Sequence, residues 1–194
     1  SHSPDHDSSA PGVLLQVLPI ALHRNRDLLR RKVHAAAIGM RPHVDALLVG
    51  YGNCGGALRG ATGVLDNDIP LFFPTDEGAP LDDCVGISLG RTCYQRERRE
   101  TPGTYFATVG WCNHWKQMFG SSTGVSSAMV QRVFARYERL VIVESAVMTE
   151  RLRARAEELC RLAGLRSESV AGSVTRLGRA LNAALEALRP RHAK

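Results

Sequence analysis

Short apolar runs alternate along the chain with longer stretches in which apolar residues recur every three or four positions. The runs are typical of strands buried on both faces of a sheet, and the longer stretches are typical of amphipathic helices. We predict strands at residues 13–18, 45–50, 69–73, 103–109, 140–143 and 165–170, and helices at residues 24–38, 83–98, 122–139, 149–163 and 173–188. This alternation predicts an α/β fold: a single Rossmann-like three-layer domain with a mostly parallel sheet.

Capping residues mark several of the predicted helix ends. Asn25 can cap the first helix and Gly39 is expected to end it, while Thr149 and Gly164 bracket a later helix. Residues 1–12 are polar without a hydrophobic period. We expect them to form a disordered tail, and residues 13–194 to form the one folded domain.

The composition excludes several classes of protein. Of the 194 residues 44% are hydrophobic, which is enough for a core, but no apolar run reaches the roughly 18 residues of a membrane span. The net charge is +6, yet aromatics are only 6% and lie apart from the arginines, so we expect no nucleic-acid binding. Five cysteines favour reduced thiols, and the chain opens without a basic and apolar leader, so we expect a cytoplasmic protein.

An unusual glycine-rich loop follows the second predicted strand. In a parallel sheet, ligands bind beyond the carboxyl ends of the strands, and this loop places Cys54 there among four glycines. Glycine lets a ligand approach the backbone closely, so we assign Gly52, Asn53 and Gly55 to cofactor binding. A helix starting after the loop would lower the pKa of the Cys54 thiol, although an inert cysteine in a tight turn is the alternative.

Two further loops beyond predicted strands each carry a cysteine. Cys84 follows two aspartates, Asp82 among them, that can cap a helix. Cys112 lies two residues before His114, and Trp111 beside it is predicted to wall a pocket.

The three loops together predict a soft-metal or iron–sulfur site. Cys54, Cys84 and Cys112 would supply thiolates, with Asp82 or His114 as a fourth ligand or a partner of the ligands. The cofactor would be a metal ion, zinc or iron, or an iron–sulfur cluster. An open coordination position would bind a small-molecule ligand.

A second hypothesis is a cysteine-nucleophile enzyme. Cys54 would attack the substrate, with His114 or Glu144 as the base. The other cysteines and histidines are assigned no chemistry. Cys160 falls on an apolar helix stripe and is expected in the core, Cys93 is expected to be incidental, and His23, His34 and His43 lack metal-ligand spacing.

At these loops the chain resembles a known family, the domain of unknown function 1638. The resemblance rests on DALLVGYGNCGGALRG at 45–60, IPLFFP at 69–74, DDC at 82–84 and PGTYFATVGW at 102–111. It implies a Rossmann-like α/β domain and marks Cys54 and Cys84 as the functional pair. It also implies a link to corrinoid or methylamine one-carbon metabolism, with a corrinoid methyltransferase as partner. A third hypothesis is therefore a non-catalytic accessory or carrier module for methyl transfer.

The chain departs from the family pattern in three places. Asp82 stands where the family usually has histidine, so an imidazole ligand is lost or replaced by a carboxylate. The loop at 75–81 is expanded, and residues 1–12 replace a cysteine-bearing first strand. From this chain alone, we infer Cys112 as a substitute third thiolate. The chain also lacks the Asp-x-His-x-x-Gly string of one corrinoid-binding group, so direct binding of that type is not expected.

Overall fold

A computed structural model describes residues 12–54, 69–119 and 125–189. Within these ranges the chain has a mixed α/β fold. The helices are α1 (Arg26–Met40), α2 (Cys84–Leu89), α3 (Arg91–Glu100), α4 (Val109–Met118), α5 (Ser127–Phe134), α6 (Glu150–Ala163) and α7 (Thr175–Ala187). The strands are β1 (Leu47–Leu48), β2 (Leu71–Phe72), β3 (Thr75–Asp76), β4 (Ala79–Pro80), β5 (Thr104–Ala107), β6 (Arg139–Glu144) and β7 (Arg166–Ala171). Short 3-10 helices lie at Ile20–Arg24 and Arg41–His43.

Small, mostly parallel sheets organise the described chain, as the apolar runs predict. β1 pairs with β2 in parallel, and β5, β6 and β7 form a three-stranded parallel sheet with β6 in the centre. β6 is buried along almost its whole length, which explains its continuous apolar sequence. The exception is the antiparallel hairpin of β3 and β4, whose turn uses positive φ angles at Glu77 and Gly78.

The largest core cluster lies between the three-stranded sheet and the helices α4, α5 and α6. It contains the fully buried side chains of Trp115, Leu140 and Leu159, with Phe134 only 2% exposed. A second cluster joins α1 to β1 through Leu29, Val33, Ala37, Leu47 and Val49. α7 contacts β1, β2 and α2, and α2 in turn contacts β6.

The predicted caps are largely confirmed. The side chain of Asn25 accepts a hydrogen bond from the Leu28 backbone, and the side chain of Thr149 accepts one from the Leu152 backbone. Gly164 ends α6 with a left-handed φ of 72°. The predicted stop at Gly39 is wrong, because α1 continues through it to Met40.

The single helix predicted at residues 83–98 is two helices. Gly90 separates α2 from α3 with a φ of 80°, a conformation that a continuous right-handed helix does not allow. The strand predicted at residues 103–109 ends at Ala107, and the loop expected after it is α4. The helix predicted at residues 122–139 starts at Ser127.

The strand predicted at residues 13–18 is wrong. The segment takes no part in a strand ladder, and Val13, Leu15 and Val17 are 67%, 78% and 77% exposed. An apolar run of this length does not by itself guarantee a partner strand, and none of the described strands pairs with it.

Two predictions fall outside the described residues, namely the tail before Gly12 and the cofactor-binding role of Gly55. Among the described helices, none combines the length and the apolar character that crossing a membrane requires.

Candidate functional site

The loops that carry Cys54 and Cys84 are joined by their backbones. The N–H of Asn53 donates to the carbonyl oxygen of Leu81 at 2.8 Å, and the N–H of Cys54 donates to that of Asp82 at 2.6 Å. These bonds place Cys54 beside the start of α2, whose first residue is Cys84. The two cysteines, 30 positions apart in the sequence, are therefore neighbours at the carboxyl ends of β1 and β2.

Gly52 makes this close approach possible. A Cβ atom at residue 52 would lie 2.4 Å from the Asp83 Cα, which is closer than real contacts allow. The space beside Gly52, where the sequence predicts a cofactor, is thus occupied by the Asp83 backbone. The glycine serves the packing of the two loops, and the backbone N–H of Asn53 is already used in the same contact.

Asp83 fixes the start of α2. Its Oδ1 accepts a hydrogen bond from the Gly86 backbone N–H at 2.8 Å, which is the N-cap that the sequence predicts for one of the two aspartates. Its Oδ2 accepts a hydrogen bond from the Tyr94 hydroxyl at 2.9 Å. With both oxygens engaged, Asp83 orients Cys84, while the exposed Asp82 contributes its backbone carbonyl.

His23 is the unpredicted member of the site. Its Nε2 lies 4.0 Å from the Cys54 Sγ, and its Nδ1 lies 3.1 Å from the carbonyl oxygen of Ile20. A carbonyl only accepts, so Nδ1 carries the proton of the neutral ring and Nε2 turns its lone pair toward the thiol. No spacing pattern in the sequence points to this contact, because 31 positions separate the two residues.

Burial controls the ionisation of both thiols. It raises the pKa of Cys54 to about 11, and the negative charges of Cys84 and Asp83 add to the effect. Cys84 is exposed as a residue, yet loss of hydration at its thiol and the Asp83 charge raise its pKa. The Thr108 hydroxyl partly opposes that rise by hydrogen bonding to the Cys84 thiol. The lowered pKa predicted for Cys54 is therefore wrong, because desolvation dominates.

Cys112 lies elsewhere, in the core. It is fully buried on α4, and its Sγ is 3.8 Å from the carbonyl oxygen of Ala107. Because residues 109–118 are helical instead of a loop, the side chain turns into the cluster that holds Trp115 and Cys160. The expected third thiolate is thus buried in the main core, and the core position predicted for Cys160 is confirmed.

The remaining predicted residues have local partners. The ring nitrogens of His114 lie 3.0 Å from the Asn113 side chain and 3.2 Å from that of Gln117, on the same helix. Trp111 packs against Tyr105 at 5.4 Å between ring centroids, as part of the wall of the main core.

Glu144 is part of an ion pair. Both of its carboxylate oxygens are bonded to the Arg153 guanidinium, and the Ser169 hydroxyl is 3.4 Å from one of them. A carboxylate held in this way stabilises the end of β6 and is not positioned as a base for Cys54.

A comparison with protein families bears on the same loops. A family model described as "Protein of unknown function (DUF1638)" matches residues 17–181. The chain belongs to this family. The curated proteins and the solved structures give no significant match. In this DUF1638 protein, the match covers both cysteine loops, His23 and the whole three-stranded sheet.

The chemistry open to this DUF1638 site is set by two thiols and one imidazole. Across residues 12–54, 69–119 and 125–189, no three His, Cys, Asp or Glu side chains already stand in an arrangement that would hold a metal ion. Cys54 and His23 are paired at 4.0 Å, with Cys84 on the adjoining loop. Sulfur and imidazole nitrogen are donors that zinc and iron accept.

Proposed function

We propose that Cys54, Cys84 and His23 bind a single zinc or ferrous ion and leave a fourth position for a small-molecule ligand. The observation that carries this proposal is the 4.0 Å approach of the His23 Nε2 to the Cys54 Sγ, in a loop bonded to that of Cys84. Three protein ligands with one open position are typical of catalytic zinc sites. His23 takes the place that the sequence assigned to His114 or Asp82.

The protonation of the thiols supports metal binding over nucleophilic catalysis. A thiol with a pKa of about 11 is neutral near pH 7, whereas a cysteine nucleophile needs the thiolate. A metal ion displaces the thiol proton directly, so binding should release protons and strengthen with rising pH. One contact favours the cysteine-nucleophile hypothesis. The His23 Nε2 lies 4.0 Å from the Cys54 Sγ, where the imidazole would act as the base.

A single ion fits these residues better than an iron–sulfur cluster. Clusters are commonly held by four cysteine thiolates. Cys112 and Cys160 are buried in the main core, and Cys93 lies on α3 against Arg96. Two thiols and an imidazole suit a mononuclear site.

Anaerobic titration with cobalt(II) tests the proposal. Cobalt(II) binds at zinc sites in place of zinc, and its bonds to thiolate give a charge-transfer absorption in the near ultraviolet. His2 and His6 are replaced by glutamine in every sample, so that the N-terminal residues cannot compete for the ion. We expect wild type to bind one equivalent with this absorption, and Cys54→Ser and Cys84→Ser to lose it.

The matched control is Cys93→Ser, which removes a half-buried thiol from α3 and should keep the absorption. His23→Gln should keep part of the sulfur signal but bind more weakly. If wild type bound no cobalt, or if Cys54→Ser bound it unchanged, the proposal would be wrong. Rapid alkylation of Cys54 at neutral pH without metal would favour the nucleophile instead.

We further infer that the described sheets belong to one Rossmann-like three-layer domain. The contacts of α7 with β1 and β2, and of α2 with β6, support a shared helical layer over the two parallel sheets. Unfolding in urea should then follow one transition by both tryptophan fluorescence and far-ultraviolet circular dichroism. Separate transitions would indicate two independent units.

We further propose that the protein is cytoplasmic, that it has no nucleic-acid partner and that its protein partner is a corrinoid methyltransferase. The function would then be that of a metal-dependent accessory protein in methyl transfer. Co-purification of the tagged chain with such an enzyme tests the partner, and Cys54→Ser shows whether the metal site takes part in the association.

A further inference from the structure

We propose that Cys54 and Cys84 are a redox pair, which a small-molecule disulfide oxidises to an intramolecular disulfide that switches the site off. The bond itself depends only on the geometry of the two loops. Its effect on metal binding rests on the proposed function.

The backbone contacts between the loops set the distance that the bond must cross. Cys54 is bonded through its N–H to Asp82, and Cys84 follows Asp82 by two residues. Disulfides join Cα atoms that are about 4.4–6.8 Å apart. The separation to be crossed is the Cys54–Asp82 hydrogen bond plus the two residues from Asp82 to Cys84, which span at most about 7 Å of chain. Side-chain rotation together with a shift of the loop can bring the two sulfurs to bonding distance.

Exposure separates this pair from the two cysteines of the main core. Cys84 is exposed at the first turn of α2, so a soluble disulfide can reach it. Cys54 is half-buried beside it and can reach the same sulfur from within the protein. Cys112 and Cys160 are 0% and 4% exposed in the core, which shields them from the oxidant.

The reaction is an ordinary thiol–disulfide exchange. The Cys84 sulfur attacks a disulfide such as oxidised glutathione, which forms a mixed disulfide and releases one glutathione thiol. The Cys54 sulfur then attacks the Cys84 sulfur, and the second glutathione leaves as a thiol. The protein loses two electrons, and its two thiol protons are taken up by the leaving thiols. The His23 Nε2 is placed to relay the proton of Cys54.

The consequence for the site follows from the shared sulfurs. Once they are bonded to each other, neither supplies a thiolate, and only His23 is left of the three ligands. A bound metal should in turn protect both sulfurs from the oxidant. The metal and the disulfide therefore exclude each other.

Thiol counting on the full 194-residue chain tests the pair. The reduced, metal-free protein is incubated with oxidised glutathione, quenched with acid, unfolded and alkylated, and its peptides are mapped by mass. We expect free thiols to fall from five to three, with Cys54 linked to Cys84. Cys93→Ser should lose the same two, and Cys54→Ser should stop at a glutathione adduct on Cys84.

An unchanged thiol count would overturn the pair, as would a different linkage or a wild-type protein that stops at the glutathione adduct. Cobalt(II) titration of the reduced and oxidised chains separates the two proposals. Disulfide formation in a chain that binds no cobalt would leave the redox pair standing and remove the metal function. Cobalt binding without disulfide formation would do the reverse.

Discussion

The backbone N–H of Cys54 donates a 2.6 Å hydrogen bond to the carbonyl oxygen of Asp82. Backbone atoms alone make this bond, so replacing the Cys54 side chain leaves it in place. The cysteine and histidine variants should therefore report on the chemistry of the site more than on its folding. Substitutions of the residues that shape the two loops should do the opposite.

Gly52→Ala should separate the loops. The new methyl group would lie 2.4 Å from the Asp83 Cα, and overpacking of this kind typically costs about 1–3 kcal/mol in the free energy of unfolding. Urea denaturation measures this loss, and cobalt affinity should fall with it. Gly39→Ala is the control, because its Cβ meets nothing within 4 Å on α1 and should gain up to about 1 kcal/mol. Equal stability of the two variants would contradict the packing role of Gly52.

Tyr94→Phe should loosen the start of α2. The change removes the 2.9 Å hydrogen bond to the Asp83 carboxylate, a charged partner for which such bonds contribute about 1.5–3 kcal/mol. Urea denaturation should show a loss in this range, reduced because the pair is only partly buried. In an Asp83→Ala background the same change should cost clearly less. An undiminished cost there would mean that the Tyr94 hydroxyl does not act through the Asp83 carboxylate.

Alkylation of Cys54 by iodoacetamide should follow an elevated pKa. The protonated thiol is favoured in the folded protein, so the fraction of reactive thiolate increases about tenfold per pH unit above neutrality. In metal-free protein the rate should level off only near pH 11, whereas an ordinary thiol levels off near about 8.5. Peptide mapping separates Cys54 from the other cysteines. A plateau at or below pH 7 would show an activated thiolate and favour the nucleophile hypothesis.

Glu144→Gln should alter stability and leave the site unchanged. The variant weakens the ion pair with Arg153 at the end of β6, and a small decrease in the midpoint of urea unfolding should follow. The cobalt(II) spectrum should match that of wild type, because Glu144 contacts neither sulfur. A lost or shifted sulfur-to-cobalt absorption would return Glu144 to the candidate site.

Local signals in the sequence predicted most of the fold. Helix ends with a capping side chain or a left-handed glycine, such as Thr149 and Gly164, were found because the cap is a contact between residues close in sequence. The break at Gly90 was missed, since its positive φ depends on the packing of α2 and α3. The strand predicted at residues 13–18 was wrong, because an apolar run does not by itself supply a partner strand.

The site was only half predictable. Strand ends and glycines pointed to Cys54 and Cys84, whose loops the structure joins. The same rule placed Cys112 in a loop, but residues 109–118 form a helix, which turns its side chain into the core. His23 carried no signal, since its contact with Cys54 depends on how the 3-10 helix at Ile20–Arg24 packs against α1 and α4. Contacts between distant segments require the tertiary fold.

X-ray absorption at the zinc edge of the zinc-loaded chain tests most directly whether both thiols share one ion. We expect two sulfur neighbours at about 2.3 Å and an imidazole nitrogen at about 2.0–2.1 Å. Cys84→Ser should leave one sulfur, and Cys93→Ser should leave both. A shell of nitrogen and oxygen alone, or sulfur neighbours that persist in a Cys54→Ser, Cys84→Ser double variant, would contradict it.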